Sequence, residues 1–371
     1  MPEARILPRR LLLGPGPSNV HPRVLEAMAQ PLLGHLDPIF LAILDEVQDR
    51  LRDAFGTQNA FTWPLSATGS AGMEACLVNL LERGDRALIG VSGVFGRRMV
   101  DVAERAGAEV VCVEAEWGRP LDEAEMISAI ERERPALVAL VHAETSTGVR
   151  QDPAAIAASA HAAGAFVVLD CVTSLCGIPV ELDAWGIDAA YSGTQKCLSC
   201  PPGLAPVSFS DRAIERVRGR VTPVQSWFLD VSLLANYYGG ERVYHHTAPI
   251  SAIYGLAEGL RVVAEEGLEK RYHRHASTAR ELIAGLAPLG FEPLVEAEHR
   301  LPMLTTVRLP DSVTERGEAK VRRALLDRHD IEVGAGLGAL AGQVWRIGLM
   351  GENARSECVD RLLEALRAEL G

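Results

Sequence analysis

Two polar residues follow neighbouring apolar segments in the middle of the chain. The run 165–170 (AFVVLD) is apolar up to Asp170, and Lys196 closes the stretch 191–196 (YSGTQK) just after a second strand-like segment, 187–191. A lysine amine can form a Schiff base with a cofactor aldehyde, and a buried carboxylate can keep a pyridine nitrogen protonated. The pair therefore indicates pyridoxal phosphate (PLP) chemistry, although it also fits a strand-capping aspartate and a surface lysine.

The elements that must position these residues alternate along the chain. Helix-like patterns at 97–106, 121–133 and 152–163 separate most of the short apolar runs, which lie at 87–91, 109–113, 136–141, 165–170 and 205–209. This alternation predicts an α/β fold whose mostly parallel sheet has helices on both faces. Ligands bind at the carboxyl ends of such strands, where Thr145, Asp170 and Lys196 fall.

The C-terminal third has a different pattern. From about residue 251 to 286 it is long and helical, and a smaller α+β unit follows, with strands expected at 303–309 and 344–349 and helices at 318–329 and 354–370. We therefore predict an N-terminal arm (1–20), a large domain (21–268) and a small C-terminal domain (269–371).

A short glycine- and serine-rich stretch is suited to a phosphate group. Residues 66–72 (SATGSAG) precede a predicted helix at 73–81, so Thr68, Gly69 and Ser70 offer backbone N–H groups, hydroxyl donors and a helix N-terminus. Such a stretch can also be only a loop with a helix cap. Its place ahead of Asp170 and Lys196 favours phosphate binding.

Composition narrows the choice of partners and compartment. The chain has 371 residues and a net charge of −12, which argues against a nucleic-acid or anionic-membrane partner. Its first residues lack a signal arrangement and its last three are no peroxisomal address, so we expect a cytoplasmic protein. The seven cysteines show no disulfide framework. Cys197 and Cys200 form a C-x-x-C without further zinc ligands, so we expect buried thiols and no metal.

Several segments, spread in order over nearly the whole chain, carry a family resemblance. They are 12–19 (LLGPGPSN), 142–148 (HAETSTG), 191–196 (YSGTQK), 201–203 (PPG), 244–247 (YHHT) and 346–348 (RIG). In these segments the chain resembles the class V aminotransferases of PLP fold type I, close to the alanine–glyoxylate and serine–glyoxylate (serine–pyruvate) enzymes. The resemblance implies a large domain with a helix-covered sheet and a smaller α+β domain.

The resemblance also implies roles for cofactor-binding residues. Phe95 stands where close relatives place a tryptophan that stacks on the PLP ring, and Thr145 matches a contact to the ring hydroxyl. Gln195 matches a phosphate contact, whereas Ser70 stands where relatives can carry a histidine. Tyr244 and Thr247 match residues that reach the phosphate of the neighbouring subunit, so a homodimer with shared active sites is expected.

For the substrate, the resemblance implies that Arg346 binds the α-carboxylate and that Gly16 lies against the substrate. Lys196 itself is expected to move the proton, which leaves a structural role for His142. The reaction expected is ping-pong transamination from alanine or serine to glyoxylate or pyruvate.

Three alternatives remain. A pyridoxamine–pyruvate aminotransferase would use the same scaffold, and so would a cysteine desulfurase-like lyase, although the stretch 334–342 lacks the loop cysteine that a desulfurase needs. A catalytically silent accessory subunit is disfavoured by the intact Asp170, Lys196 and Arg346.

Overall fold

The computed structural model describes residues 7–371. The strands in this part of the chain are β1 (Leu11–Leu13), β2 (Phe61–Leu65), β3 (Arg86–Val91), β4 (Glu109–Glu114), β5 (Leu137–Val141), β6 (Ala143–Glu144), β7 (Val149–Arg150), β8 (Phe166–Asp170), β9 (Ala189–Tyr191), β10 (Ala205–Phe209), β11 (Glu292–Pro293), β12 (Leu304–Arg308), β13 (Ile331–Ala335) and β14 (Val344–Gly348). The α-helices are α1 (Pro22–Met28), α2 (Pro38–Phe55), α3 (Gly69–Leu80), α4 (Val94–Arg105), α5 (Glu123–Glu133), α6 (Ala154–Ala162), α7 (Leu182–Trp185), α8 (Asp211–Arg218), α9 (Val231–Tyr238), α10 (Ile250–Glu266), α11 (Leu268–Leu286), α12 (Asp311–Thr314), α13 (Glu318–His329) and α14 (Ser356–Leu370).

A seven-stranded sheet forms the centre of the larger unit. Its strand order is β2-β10-β9-β8-β5-β3-β4. Strands β3, β4, β5, β8 and β9 pair in parallel, whereas β10 runs antiparallel to both of its neighbours. The α/β class and the mostly parallel sheet predicted from the alternating pattern are confirmed.

The central strands are apolar because both faces of the sheet are covered. Every residue of β5 is buried, and so is every residue of β8 except Phe166, which is partly buried. A strand that is covered on both faces by helices reads as a continuous apolar run. The five strands predicted from such runs each end within one residue of the strands observed.

A second, five-stranded sheet has the order β1-β13-β14-β12-β11 and its own hydrophobic core, which includes Phe291 and Trp345. Strand β1 pairs in parallel with β13, with Leu11 opposite Ile331, so residues 11–13 contribute an edge strand to this sheet. The long helical segment is broken between α10 and α11 at Gly267, whose φ is 82°. The division at residues 20 and 268 stays a prediction.

Within residues 7–371, no helix combines the length and the apolar character needed to cross a bilayer.

Candidate active site

Asp170 is held in place by the neighbouring strand. It is the last residue of β8, and in the sheet it lies opposite Tyr191, the last residue of β9. The Tyr191 hydroxyl donates to Oδ2 of Asp170 at 2.7 Å, and the Val172 N–H donates to Oδ1 at 2.8 Å. Burial raises the pKa of Asp170 to about 7. A nearby cationic group would favour the ionised form of this carboxyl.

Lys196 lies on a tightly fixed turn that follows β9. The Thr194 hydroxyl donates to the Pro201 carbonyl at 2.6 Å, and the Ser18 hydroxyl donates to the Lys196 carbonyl at 2.8 Å. The Lys196 amine donates to the carbonyl of Pro15, which lies in the segment after β1. Burial lowers the pKa of this amine to about 8, and the charge of Arg346 acts in the same direction. Lys196 is therefore the kind of buried amine that loses its proton readily.

One cavity of about 140 Å³ brings together seven of the predicted site residues. Its lining includes Thr68, Gly69, Ser70, Phe95, Asp170, Gln195 and Lys196. The remaining lining residues are Met73, Arg98, Val172 and Tyr191, which the sequence analysis did not assign to the site. Residues from four separate segments of the large sheet unit therefore meet at the carboxyl ends of its strands.

The start of α3 faces this cavity. The helix begins at Gly69, four residues before the predicted start, so Gly69 and Ser70 lie in its first turn. Thr68 occupies the N-cap position and makes no side-chain capping bond. Because N–H groups in a first helical turn have no partner within the helix, they and the Thr68 hydroxyl can bind an anion.

Arg346 belongs to the five-stranded sheet and, like Thr145, does not line the cavity. It lies in β14, and its Nε donates to the Ala335 carbonyl at 2.8 Å while its Nη1 donates to the Thr145 carbonyl at 3.2 Å. Burial lowers the pKa of Arg346 to about 10, partly offset by the charge of Glu144. The Thr145 hydroxyl lies 3.2 Å from that of Thr173. Arg346 is thus tied directly to one of the predicted cofactor contacts.

Three residues considered in the sequence analysis, Tyr244, Thr247 and His142, do not line this cavity. Tyr244 and Thr247 are exposed, and the Tyr244 ring packs against His35 with centroids 5.3 Å apart. His142 is buried against Trp185, with ring centroids 5.1 Å apart, and it does not line the cavity. Within one chain, Tyr244 and Thr247 are therefore not brought to the cavity that contains Lys196.

Two charged groups near the site were missed from the sequence. Arg98 lines the cavity and places its guanidinium 5.0 Å from the centroid of the Phe95 ring, in a cation–π arrangement. Glu144, in β6, is fully buried against the start of α4 and accepts hydrogen bonds from the N–H groups of Phe95 and Gly96. Arg98 follows Phe95 by one helical turn, a spacing that could have identified it. Three of the four bonds of Glu144 come from main-chain N–H groups, which have no sequence signature.

The groups around the cavity fit PLP. The Oε1 atom of Gln195 is buried beside the cavity, and in the described chain it has no hydrogen-bond partner. A buried polar atom of this kind calls for a ligand or water. The α3 N-terminus suits a phosphate, Asp170 suits a ring nitrogen, and Lys196, the only buried lysine among the chain's three, suits an aldehyde.

Comparisons with known proteins agree with this geometry. Residues 11–362 match the family model described as aminotransferase class-V. An alanine–glyoxylate aminotransferase of Drosophila melanogaster is 41% identical, over 97% of this chain and 92% of the relative. An (S)-ureidoglycine–glyoxylate transaminase of Bacillus subtilis is 38% identical, over 98% and 91%.

A solved structure extends the similarity to three dimensions. The crystal structure of an alanine–glyoxylate aminotransferase from Nostoc sp. superimposes with a TM-score of 0.97 at 51% identity, covering 100% of this chain and 98% of that one. The sequence resemblance stated above is thereby confirmed. With its helix-covered sheet, its buried lysine and aspartate and these matches along its whole length, the chain belongs to the class V aminotransferase family.

Proposed function

We propose that this aminotransferase uses PLP to move an amino group from a small amino acid, alanine or serine, to glyoxylate or pyruvate. The observation that carries the proposal is the single cavity lined by Lys196, Asp170 and the start of α3. Alanine and glyoxylate follow from the names of relatives that are 41% and 51% identical, and glyoxylate also from that of the ureidoglycine enzyme at 38%. Serine and pyruvate follow from the family resemblance in the sequence.

The cofactor would contribute a reactive aldehyde and an electron-withdrawing ring. Asp170 would hold the ring nitrogen protonated, and its bond from Tyr191 would keep the carboxylate oriented toward that nitrogen. Lys196 would take the proton from the substrate α-carbon and return it, a task favoured by a pKa near the working pH. Thr68, Gly69, Ser70 and Gln195 would bind the phosphate.

Arg346 would bind the carboxylate that every donor and acceptor carries. Its bonds to the carbonyls of Ala335 and Thr145 fix the plane of the guanidinium and leave its other N–H groups for a ligand. A planar guanidinium binds a carboxylate with two parallel hydrogen bonds. This arrangement would place the substrate α-carbon between Arg346 and Lys196, with Gly16 on one side.

A homodimer with shared sites forms part of the proposal. Two large apolar side chains are exposed next to the contact of Tyr244 with His35 in the sequence: Val243 precedes Tyr244, and Leu36 follows His35, whose ring packs against Tyr244. Contiguous exposed apolar surface marks a protein interface. Tyr244 and Thr247 would then reach the phosphate of the neighbouring subunit, which explains why they lie outside their own chain's cavity.

A spectral half-reaction test distinguishes this proposal from its rivals. The purified protein is mixed with single amino acids, and loss of the cofactor's visible absorbance is followed; alanine or serine should convert it, and glyoxylate should restore it. A protein without bound phosphate that reacts with free pyridoxamine would indicate a pyridoxamine–pyruvate aminotransferase. Sulfide release from cysteine would indicate a desulfurase, and a spectrum unchanged by any amino acid would indicate a silent subunit.

A further inference from the structure

Glu144 is a buried carboxylate in the active-site region to which the mechanism above gives no role. It lies in β6, has no exposed surface, and accepts four hydrogen bonds. Its Oε1 accepts from Ser146 N at 3.1 Å and Ser146 Oγ at 2.6 Å, and its Oε2 accepts from Phe95 N at 3.1 Å and Gly96 N at 3.3 Å. All of these partners are N–H or O–H donors.

These bonds join two segments at the N-terminus of α4. Ser146 Oγ also accepts from Val94 N at 2.9 Å, so Glu144 and Ser146 together hold the N–H groups of three successive residues in the first helical turn. A carboxylate is favoured at this end of a helix because the N–H groups there carry partial positive charge. The arrangement replaces the side-chain cap that Gly93, at the N-cap position, cannot provide.

The close contact depends on Gly93. A Cβ on Gly93 would come within 2.6 Å of Glu144 Cδ, and closer still to Ser146 Oγ. Real Cβ atoms do not approach other heavy atoms so closely. The absence of a side chain at this position therefore lets the Glu144 carboxylate reach the first turn of α4.

We propose that Glu144 is the positioning residue for Phe95. The carboxylate fixes the first turn of α4, which carries Phe95, to the segment that carries Thr145, and so sets the tilt of the Phe95 ring over the cofactor. Arg98 packs against the same ring and belongs to the same helix, so the position of the helix start controls both. This inference rests on the proposed role of Phe95 in stacking on PLP.

The substitution Glu144→Gln tests the inference because it keeps the size of the side chain. An amide has one accepting oxygen, and its NH₂ group would face N–H donors. If the oxygen remains with Ser146, the bonds to Phe95 and Gly96 are lost; if it turns to them, the bonds to Ser146 are lost. The first orientation removes the direct bonds to α4, and the second leaves Ser146, which holds Val94 N, without its own partner, so each orientation weakens the junction between β6 and α4.

The first readout is the affinity of the apoprotein for PLP, measured by equilibrium dialysis, which does not depend on activity. It should fall on the order of ten- to a hundredfold, the scale expected for lost hydrogen bonds to a charged group. The second is the circular dichroism of bound PLP in its visible band, which reports ring tilt and should change in amplitude. At saturating PLP, kcat should fall more than KM for alanine rises, because the Glu144 side chain takes no part in the bonds of Arg346 to the Ala335 and Thr145 carbonyls.

Two further variants complete the experiment. Ser146→Ala removes one donor to Glu144 and the acceptor of Val94 N, so its effects should be in the same direction but smaller. Glu114→Gln is the matched control, since Glu114 pairs with Arg97 of the same helix at 2.6 Å but on the exposed surface. It should behave as the wild type in all three readouts.

The outcomes separate this inference from the proposed function. Wild-type PLP affinity and dichroism in a folded Glu144→Gln protein would overturn the positioning role. If that variant does not fold, the same wild-type values in Ser146→Ala would overturn it. Phe95→Ala supplies the remaining comparison. If Phe95→Ala loses PLP affinity while Glu144→Gln keeps it, only the positioning role is refuted. If Phe95→Ala keeps the wild-type PLP affinity, the stacking role of Phe95 is refuted.

Discussion

Gly16 lies against the amine of Lys196, so closely that a Cβ atom on Gly16 would be 2.6 Å from Nζ. Gly16 also has a φ of +111°, a backbone conformation that other residues rarely adopt. The segment after β1 therefore approaches the amine with its backbone alone. The Lys196 side chain occupies the space that any larger residue at position 16 would need.

Gly16→Ala should lower kcat on the order of a hundredfold, because displacement of a reacting group by about 1 Å has effects of this size. Steady-state kinetics with alanine and glyoxylate measure the change. The matched control is Gly14→Ala, where the nearest non-neighbouring atoms to a new Cβ lie 3.8 Å away. Equal activity of the two variants would show that the contact with Lys196 is unimportant.

Lys196→Ala should abolish transamination, and borohydride reduction of the wild-type holoenzyme should label Lys196. The chain contains only two other lysines, Lys270 and Lys320, and both are exposed. Peptide mapping after reduction therefore has three possible labelled sites. Label on Lys270 or Lys320 in place of Lys196 would refute the assignment.

Asp170→Asn should retain PLP but slow the alanine half-reaction by orders of magnitude, because a neutral amide does not hold the ring nitrogen protonated. Stopped-flow absorbance measures the rate. Tyr191→Phe is the comparison, since it removes only the hydroxyl that donates to Asp170 and should have a smaller effect. A near-normal rate in Asp170→Asn would exclude this role.

Asp170 should also make the stability of the apoprotein depend on pH. Burial raises the pKa of Asp170 from 3.8 to about 7, so between these values the folded chain keeps a proton that the unfolded chain has lost. This contribution to stability is present at low pH and is lost as the pH rises through about 7. Relative to Asp170→Asn, the unfolding free energy of the wild type should fall by at most roughly 1.4 kcal/mol per pH unit in this range. Denaturant titrations of both apoproteins at several pH values measure these free energies. A difference between them that does not change with pH would contradict the prediction.

Arg346→Ala should reduce kcat/KM by roughly 30- to several-thousand-fold, the scale for loss of a partner in a buried charge pair. The reduction should be similar for alanine, serine and glyoxylate, because each carries the same carboxylate. Arg308→Ala, at an exposed arginine on the neighbouring strand β12, should have no effect. A loss confined to one substrate would mean that Arg346 contacts a side chain instead.

Shared active sites predict complementation between two impaired variants. Lys196→Ala and Tyr244→Ala homodimers should each have low activity. A hybrid dimer, purified through two different tags, would contain one site with both native residues if Tyr244 acts on the neighbouring subunit. Activity near half that of the wild type is therefore expected. A hybrid no more active than the Tyr244→Ala homodimer would place Tyr244 in its own subunit's site.

Much of the larger unit could be predicted from the sequence because its strands are covered on both faces. Strand β10 was predicted with both ends correct, and the continuous apolar run that ends at Asp170 became β8. Strand β2 was not predicted; it contains Pro64, a residue that is rare inside strands. Its place at the edge of the sheet explains why the proline is tolerated.

Other features escaped prediction because they depend on distant or main-chain partners. Strand β1 has only three residues, and its partner β13 was not predicted either. Two of the four bonds of Glu144, those from Phe95 and Gly96, depend on how α4 approaches β6. Asp170 and Lys196 could be identified because each comes directly after a strongly patterned segment, whereas the role proposed for Tyr244 depends on a second subunit.

The pairing of β1 with β13 also limits the order in which parts of the chain can fold during synthesis. Leu11 leaves the ribosome early, but its partner Ile331 lies 320 residues later in the chain. Contacts between such distant positions form late, because a long loop must close first. The segment that places Pro15 and Gly16 against Lys196 follows β1 directly. The large sheet can therefore fold while the chain is still growing, but Lys196 gains its final surroundings only after Ile331 has been synthesised.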